Sequence, residues 1–190
     1  MIDINETHDP HLRSWVAGAD DPAGDFPIHK LPFGIFRRRG TDEAWRSGVA
    51  IDTGILDLAS CRASGLFDGL AAEAAAACTG PRLNPLLALG PSHWSALRLA
   101  LSRLLRGDRP PSGVDAATQV VPITAAELAL LISVGDYTDF FASIDHAAHA
   151  GALVRPDLPL PPSYRHLPIA YHGRASTVMV SGTECRRPRG

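Results

Sequence analysis

The pattern of apolar residues changes near residue 58, from one typical of strands to one typical of helices. Before it, the segments GIFRRR and WRSGVAI are rich in branched or aromatic residues, as strands are. The strings VAID and ILDL are separated by Thr53-Gly54, a two-residue connection of the hairpin kind. We therefore predict a small antiparallel β unit over about residues 33–58.

Helical patterns replace the strand pattern from residue 59 to residue 106. The string FDGLAAEAAAAC is rich in alanine, the residue with the highest helix propensity. The string PSHWSALRLALSRLLRG has Pro91 just inside its start and Gly107 at its end, where helices favour these residues. Its apolar residues repeat on one helical face: Trp94, Leu97, Leu101, Leu104 and Leu105. Two helices are predicted here, followed by a polar turn at 107–116 and a returning strand in ATQVVPI.

The last third of the chain predicts a second group of elements. The string AAELALLISV predicts a short helix, Gly135 predicts a tight turn, and residues from about 138 to 151 predict another helix. A proline-rich loop is expected at 156–168, and TVMV with the following SG turn predicts half a hairpin or a sheet edge. Residues 20–34, with three prolines, should form an extended, turn-rich arm.

Composition narrows the class of protein. A chain of 190 residues with 45% hydrophobic content can bury a core. A net charge of -2 and a pI near 6.4 give no general attraction to nucleic acid or anionic membranes, and the basic strings FRRRG and RRPRG are short enough to be solvated turns. The amino-terminal residues lack a secretory pattern, and no segment approaches the ~18 apolar residues of a membrane span. We expect a soluble, cytoplasmic protein with a small-molecule substrate and neither a nucleic-acid nor a membrane partner.

The cysteines carry no recognisable site. Cys61, Cys78 and Cys185 are far apart, odd in number and without CxxC spacing. Their spacing therefore predicts neither a disulfide framework nor a zinc site.

Two residues seven positions apart, Asp139 and His146, are the first candidates for chemistry. On a single helix they would project from nearly the same face about 10 Å apart, too far to share one metal ion. Asp139 would then be a metal ligand and His146 a general base; the alternative is a capping aspartate and a solvated histidine. His146 and His149 also form an HxxH pair, for which a solvated helix surface is the alternative to metal binding.

Donor side chains follow these candidates in the sequence. Arg155 comes after the predicted helix, and YHGRAS adds Tyr171, His172 and Arg174. Together they would suit an acidic substrate; the alternative is that Arg155 pairs with Asp157 or caps the last helical carbonyls, as arginines at such positions commonly do.

Four strings of the chain, in the same order, resemble the fumarylacetoacetases: DFPIHKLPFGIF at 25–36, LNPLLALGPSHWSALRLALSRLL at 83–105, GDYTDF at 135–140 and HLPIAYHGRASTVMVSGTECRRPRG at 166–190. The resemblance implies a mixed α+β, mainly β fold, with an SH3-like β-barrel in residues 1–130 and the incomplete beginning of a β-roll catalytic domain in residues 131–190. It also implies hydrolysis of a carbon-carbon bond of fumarylacetoacetate to fumarate and acetoacetate, the last step of tyrosine and phenylalanine breakdown. That chemistry uses Ca²⁺ or Mg²⁺, and the full-length enzymes are usually homodimers.

The same resemblance assigns roles to five residues. Asp139 corresponds to a metal ligand and His146 to the catalytic histidine, whereas Arg155, Tyr171 and Phe141 correspond to substrate-binding positions. Phe141 stands where the family commonly has a tyrosine, so one hydroxyl is absent.

Two neighbours of His146, Asp145 and His149, also differ in polarity from those usual in the family. Because the remaining metal ligands are expected beyond Gly190, we predict no appreciable turnover by this chain alone. The alternatives are a noncatalytic truncated paralogue that acts as a binding or assembly module, or a related diketo-acid hydrolase.

Overall fold

The computed structural model describes residues 4–189, which divide into two compact units. Unit 1 comprises the described residues of Met1–Ser133 and Val180–Gly190, and unit 2 is Val134–Met179. The assignment of residues 1–130 and 131–190 to two fumarylacetoacetase domains stays a prediction. Gly190, the end point used in the sequence analysis, lies outside the described residues. So do the first three residues of the amino-terminal stretch that was examined for a secretory pattern.

Within its described residues, unit 1 has an antiparallel sheet of five strands in the order β4-β3-β2-β1-β5. The strands are β1 (Phe33–Arg38), β2 (Arg46–Ile51), β3 (Gly54–Asp57), β4 (Val120–Pro122) and β5 (Ala126–Ala129). The predicted β unit is therefore confirmed, and the two-residue connection between β2 and β3 lies one residue earlier than expected.

Five helices of unit 1 lie between β3 and β4 in the described sequence. They are α1 (Leu58–Ala63), α2 (Gly69–Ala77), α3 (Asn84–Leu89), α4 (Pro91–Leu105) and α5 (Ala116–Gln119). The two predicted helices are confirmed as α2 and α4, and α4 begins at Pro91 as its sequence indicates. The buried face of α4 is narrower than predicted, because Leu97, Leu101 and Leu105 are fully buried whereas Trp94 is 40% exposed.

The core of unit 1 forms where the helices cover one face of the sheet. Alternation along the strands decides which residues enter it: Ile35 belongs to the main cluster, while its neighbour Phe36 belongs to a smaller cluster on the opposite face. The main cluster also contains Cys61 and Cys78, and burial raises the pKa of each thiol to about 12. Both cysteines are therefore structural, unreactive side chains.

Unit 2 is smaller and more open. Strands β6 (Thr138–Phe140) and β7 (Ala170–His172) pair antiparallel, and helix α6 (Ile144–Val154) lies between them in the sequence. Among its described residues, the one buried hydrophobic side chain is Ala147, whereas Leu153 and Val154 are 87% and 79% exposed.

Three local predictions were wrong, and long-range pairing explains two of them. Ala126–Ala129 was expected in a helix, but these good helix formers instead pair with β1 as strand β5. The helix expected from about residue 138 begins at Ile144, because the preceding residues form β6 and pair with β7. Asp139 is therefore on a strand, not on the helix of His146. The string TVMV at 177–180 is not a strand; it begins at the end of a short 3₁₀ helix, Ala175–Thr177.

The fold class is confirmed in its coarser form, a mixed α and β chain with an antiparallel sheet. The finer form is not: among residues 4–189, helices contain more residues than strands. The sheet of unit 1 is also open in the described part of the chain, since β4 and β5 are its edges and are not paired with each other. Neither an SH3-like barrel nor a β-roll is confirmed.

A buried carboxylate joins the sheet to the helices. Asp57 is 3% exposed, ends β3 and is the N-cap of α1. Its Oδ1 accepts hydrogen bonds from the backbone N–H groups of Ala59 and Ser60, at 3.0 and 3.2 Å. Its Oδ2 accepts one from Nε of Arg46 on β2, at 2.7 Å. One side chain therefore satisfies two otherwise free helical donors and neutralises a largely buried guanidinium.

We expect Asp57→Ala to lower the free energy of unfolding by about 3 kcal/mol, because it removes both a helix cap and the partner of a buried charge. Denaturant unfolding followed by circular dichroism would measure this change. The matched control is Asp68→Ala, since Asp68 occupies the N-cap of α2 without a side-chain capping bond and is exposed. Its effect should be below about 0.5 kcal/mol; equal effects of the two substitutions would contradict the prediction.

Glu43 should make stability depend on pH in the acidic range. The hydrogen bond from Arg38, followed by that from Arg46, lowers the pKa of Glu43 from 4.5 to about 2. The folded state therefore prefers the ionised form, and its contribution is complete above pH 4.5 and lost as the pH falls to about 2. The side chain is 33% exposed, so we expect a change below about 1 kcal/mol.

The free energy of unfolding, measured with denaturant across this pH range, should change less steeply with pH in Glu43→Gln than in the unsubstituted protein. Asp42→Asn is the neighbouring control, because Asp42 is exposed and makes no ion pair with any residue in the described ranges. If the pH dependence of the free energy of unfolding is unchanged in Glu43→Gln, the depressed pKa of Glu43 has no effect on stability.

Candidate functional site

The pairing of β6 with β7 brings together candidates that are far apart in the sequence. In the register of the two strands, Asp139 lies directly opposite Tyr171. Just beyond the ladder, the backbone N–H of Phe141 donates to the carbonyl of Ile169 at 3.0 Å. Asp139, Phe141 and Tyr171 therefore lie on one short, hydrogen-bonded ribbon in unit 2.

Asp139 and Tyr171 also contact each other through their side chains. The Tyr171 hydroxyl donates to Oδ2 of Asp139 at 2.8 Å. This hydrogen bond to a carboxylate raises the pKa of Tyr171, so the phenol keeps its proton at neutral pH. Tyr171 is half exposed, which leaves its ring accessible to a ligand.

The ring of Phe141 links this pair to His146. Its centroid lies 5.5 Å from that of the His146 imidazole, with 14° between the ring planes. Its centroid also lies 5.8 Å from that of the Tyr171 ring, at an interplanar angle of 52°. Four of the five predicted site residues thus form a continuous series of contacts.

His146 is placed by the start of α6. The helix is capped by Ser143, whose hydroxyl accepts a hydrogen bond from the backbone N–H of His146 at 3.3 Å. His146 is exposed and lies in the first turn, so its imidazole can reach solvent water. A general base needs this access if water is to be the proton donor.

Arg155 lies at the other end of α6. Its backbone N–H donates to the carbonyl of Gly151 at 2.7 Å, and its side chain lines a cleft of about 210 Å³. Phe141 lines the same cleft, whereas Asp139, His146 and Tyr171 are absent from its described lining. Arg155 makes no ion pair with Asp157 among residues 4–189, so its guanidinium is available to an acidic ligand.

A metal ion would find too few ligands in the described residues. Asp139 supplies the hard oxygen donor that Ca²⁺ and Mg²⁺ prefer, but one carboxylate cannot satisfy an ion that takes six or more ligands. Within residues 4–189, no group of three His, Cys, Asp or Glu side chains is arranged to hold a metal. The described residues therefore fit at most one ligand position, and the HxxH pair gains no third ligand.

Comparison with known proteins identifies the family. Residues 29–131 match the family model described as Fumarylacetoacetase N-terminal, which is more than half of the chain. The chain belongs to this family. The match covers the strands and helices of unit 1 and ends before Asp139, so it supports the family without testing the site.

Relatives of this family extend the similarity over both units. The chain is 43% identical over 185 residues to a fumarylacetoacetase of Oryza sativa subsp. japonica, covering 94% of this chain and 43% of the relative. It is 38% identical over 183 residues to that of Arabidopsis thaliana and 39% identical over 182 residues to that of Homo sapiens, with 43% and 42% of those relatives covered. The chain thus spans less than half the length of these curated relatives. No helix described for it is long and apolar enough to cross a membrane.

Two residues of this region were not predicted from the sequence. The Tyr164 hydroxyl donates to the carbonyl of Phe141 at 2.7 Å, and Gly151 allows the backbone at Pro159 to approach α6 closely. Both lie in or against the proline-rich loop, where the pattern predicts only a turn-rich connection. Gly151 was placed at the end of the predicted helix, where a glycine is expected, and so gave no signal of the close packing found inside α6.

Gly151→Ala should detach the loop that follows α6. A Cβ atom at this position would overlap the carbonyl oxygen and carbon of Pro159, and backbone cannot move aside cheaply. We expect faster amide hydrogen exchange over residues 155–160 and weaker binding of an acidic ligand by Arg155. Gly135→Ala is the control, because its Cβ would meet nothing within 4 Å; equal exchange in the two variants would contradict the close packing.

Proposed function

We propose that this chain contributes to a fumarylacetoacetase, which hydrolyses fumarylacetoacetate to fumarate and acetoacetate. The observation that carries the proposal is the similarity to proteins named fumarylacetoacetase over 94% of the chain, at up to 43% identity. The contacts that connect Asp139, Tyr171, Phe141 and His146 support it, because they gather the predicted site residues in unit 2.

His146 would serve as the general base of this reaction. Its exposed imidazole would accept a proton from water while the hydroxide formed adds to a substrate carbonyl carbon. The carbon-carbon bond then breaks, its electron pair remains with the acetoacetate carbon, and that carbon takes up a proton. Arg155 would hold a carboxylate of the substrate, and the Tyr171 hydroxyl would hold a substrate oxygen by turning its single proton away from Asp139.

Further elements of the proposal rest on the family resemblance. A bound Ca²⁺ or Mg²⁺, held by Asp139 and additional oxygen ligands, would supply Lewis-acid stabilisation of the substrate's diketone oxygens. The sheet of unit 1 would correspond to the family's SH3-like domain, and unit 2 to the beginning of its β-roll. We also propose a cytoplasmic protein that acts as a homodimer in its full-length form.

A second candidate function is a binding or assembly module without catalysis. It is favoured by the single candidate ligand, Asp139, among the described residues. A related diketo-acid hydrolase is the third candidate, favoured by Phe141, whose ring offers a substrate no hydroxyl.

We expect the 190-residue chain to show no appreciable fumarylacetoacetate hydrolysis with Ca²⁺ or Mg²⁺, because its described residues do not complete a metal site. A chimera that continues this chain with the rest of the rice relative should hydrolyse the substrate, measured by loss of its ultraviolet absorbance. His146→Ala in the chimera should lower kcat by about 10²- to 10⁴-fold.

His149→Ala is the matched control, since it removes an exposed imidazole from the same helix and should leave kcat unchanged. A folded chimera that is inactive, or one whose rate is insensitive to His146→Ala, would contradict the enzyme proposal. Steady hydrolysis by the 190-residue chain would show that its own residues are sufficient.

A further inference from the structure

The backbone of Phe141 is held at both of its polar groups. Its N–H donates to Ile169, and its carbonyl, which lies beyond the last strand pair at Phe140, accepts the Tyr164 hydroxyl at 2.7 Å. Directly after it, the N–H of Ala142 donates to the carbonyl of Phe140 at 3.0 Å, so the chain turns tightly here. The orientation of the peptide group between Phe141 and Ala142 therefore decides the direction in which the chain enters α6.

Tyr164 is well suited to hold that peptide. It is half-buried and lines the cleft that Phe141 also lines. Its own backbone lies in a short 3₁₀ turn, Pro162–Arg165, with its N–H donating to Pro161 at 3.0 Å. Adjacent prolines restrict this segment to few conformations, so the phenol donates from a stiff support.

The side chain of Phe141 carries the effect to His146. In residues 4–189, no hydrogen bond involves the His146 ring, and its stacked partner is Phe141 at 5.5 Å. For an exposed imidazole without a hydrogen-bonded partner, this stacking restricts the ring plane beyond what the helical rotamers do. Two successive contacts, joined through Phe141, thus lead from the Tyr164 hydroxyl to the proposed general base.

We infer that Tyr164 is a positioning residue, which sets the orientation of the His146 imidazole by fixing the Phe141 peptide and hence the ring that stacks on it. The catalytic part of this inference rests on the proposed function. The structural part does not, because it concerns only the orientation of one imidazole. The two parts can fail separately.

The structural part is tested on the 190-residue chain by NMR with ¹³C-labelled histidine, the His146 signals being assigned from their loss in His146→Ala. Stacking shifts the ring protons of His146 upfield through the ring current of Phe141. Tyr164→Phe removes only the hydroxyl and should reduce this upfield shift. Phe141→Leu should abolish it while leaving the carbonyl that Tyr164 bonds.

Tyr137→Phe is the matched control, since Tyr137 is a tyrosine of the same unit whose hydroxyl makes no hydrogen bond to any residue in 4–189. It should leave the His146 signals unchanged. Unmoved His146 signals in folded Tyr164→Phe would overturn the inference. If Tyr164→Phe does not fold, unmoved signals in Phe141→Leu would overturn it instead, because the stack would then not orient the imidazole.

The catalytic part is tested in the chimera with the rice relative. Tyr164→Phe should lower kcat about tenfold and change KM less, because the base is misplaced while Arg155 and Tyr171 still bind substrate. Unchanged kcat together with altered His146 signals would show that the orientation of this imidazole does not limit the reaction. Loss of activity in His146→Ala separately tests the proposed function, so a failure of one is distinguishable from a failure of the other.

Discussion

The structure of unit 1 depends on the two oxygens of the Asp57 carboxylate. One oxygen caps α1 and the other binds Arg46 on the neighbouring strand, so the step from sheet to helix and the pairing of β2 with β3 are fixed by the same side chain. The Arg46 guanidinium in turn lies 4.7 Å from the ring of Phe36, on the face away from the main core. A charged network therefore runs from the cap of α1 through Arg46 to the ring of Phe36, and breaking it would separate a largely buried ion pair.

The parts of the fold predicted correctly are those whose signal is local. Strands β2 and β3 have branched residues around a two-residue turn, and α4 has a proline at its start and leucines at helical spacing. Strand β5 and the start of α6 were predicted wrongly because their partners are distant. Ala126 pairs with Arg38, and no pattern within the last third of the chain indicates that. Helix propensity is a weak preference, and hydrogen bonds to a sheet edge override it.

In the candidate site, too, the features that depend on distant pairing could not be predicted from local sequence. Resemblance to a family points to Asp139, His146, Arg155 and Tyr171, but the residues alone leave capping and solvation open as alternatives. The contact between Asp139 and Tyr171 joins residues 32 apart in sequence and depends on a strand pair that the pattern did not predict. Nothing in the sequence indicated a role for Tyr164, since a tyrosine in a proline-rich loop has no pattern that predicts its contacts.

The single buried hydrophobic residue described in unit 2, Ala147, has a thermodynamic consequence for its site. A segment with so little apolar burial opens locally at a small free energy, well before the more densely packed sheet and helices of unit 1 unfold. Any ligand that binds only the closed segment stabilises it by mass action, by an amount that grows with the logarithm of ligand concentration. Ligand affinity measured for this region would then contain the free energy of ordering unit 2, so occupancy and local folding would titrate together.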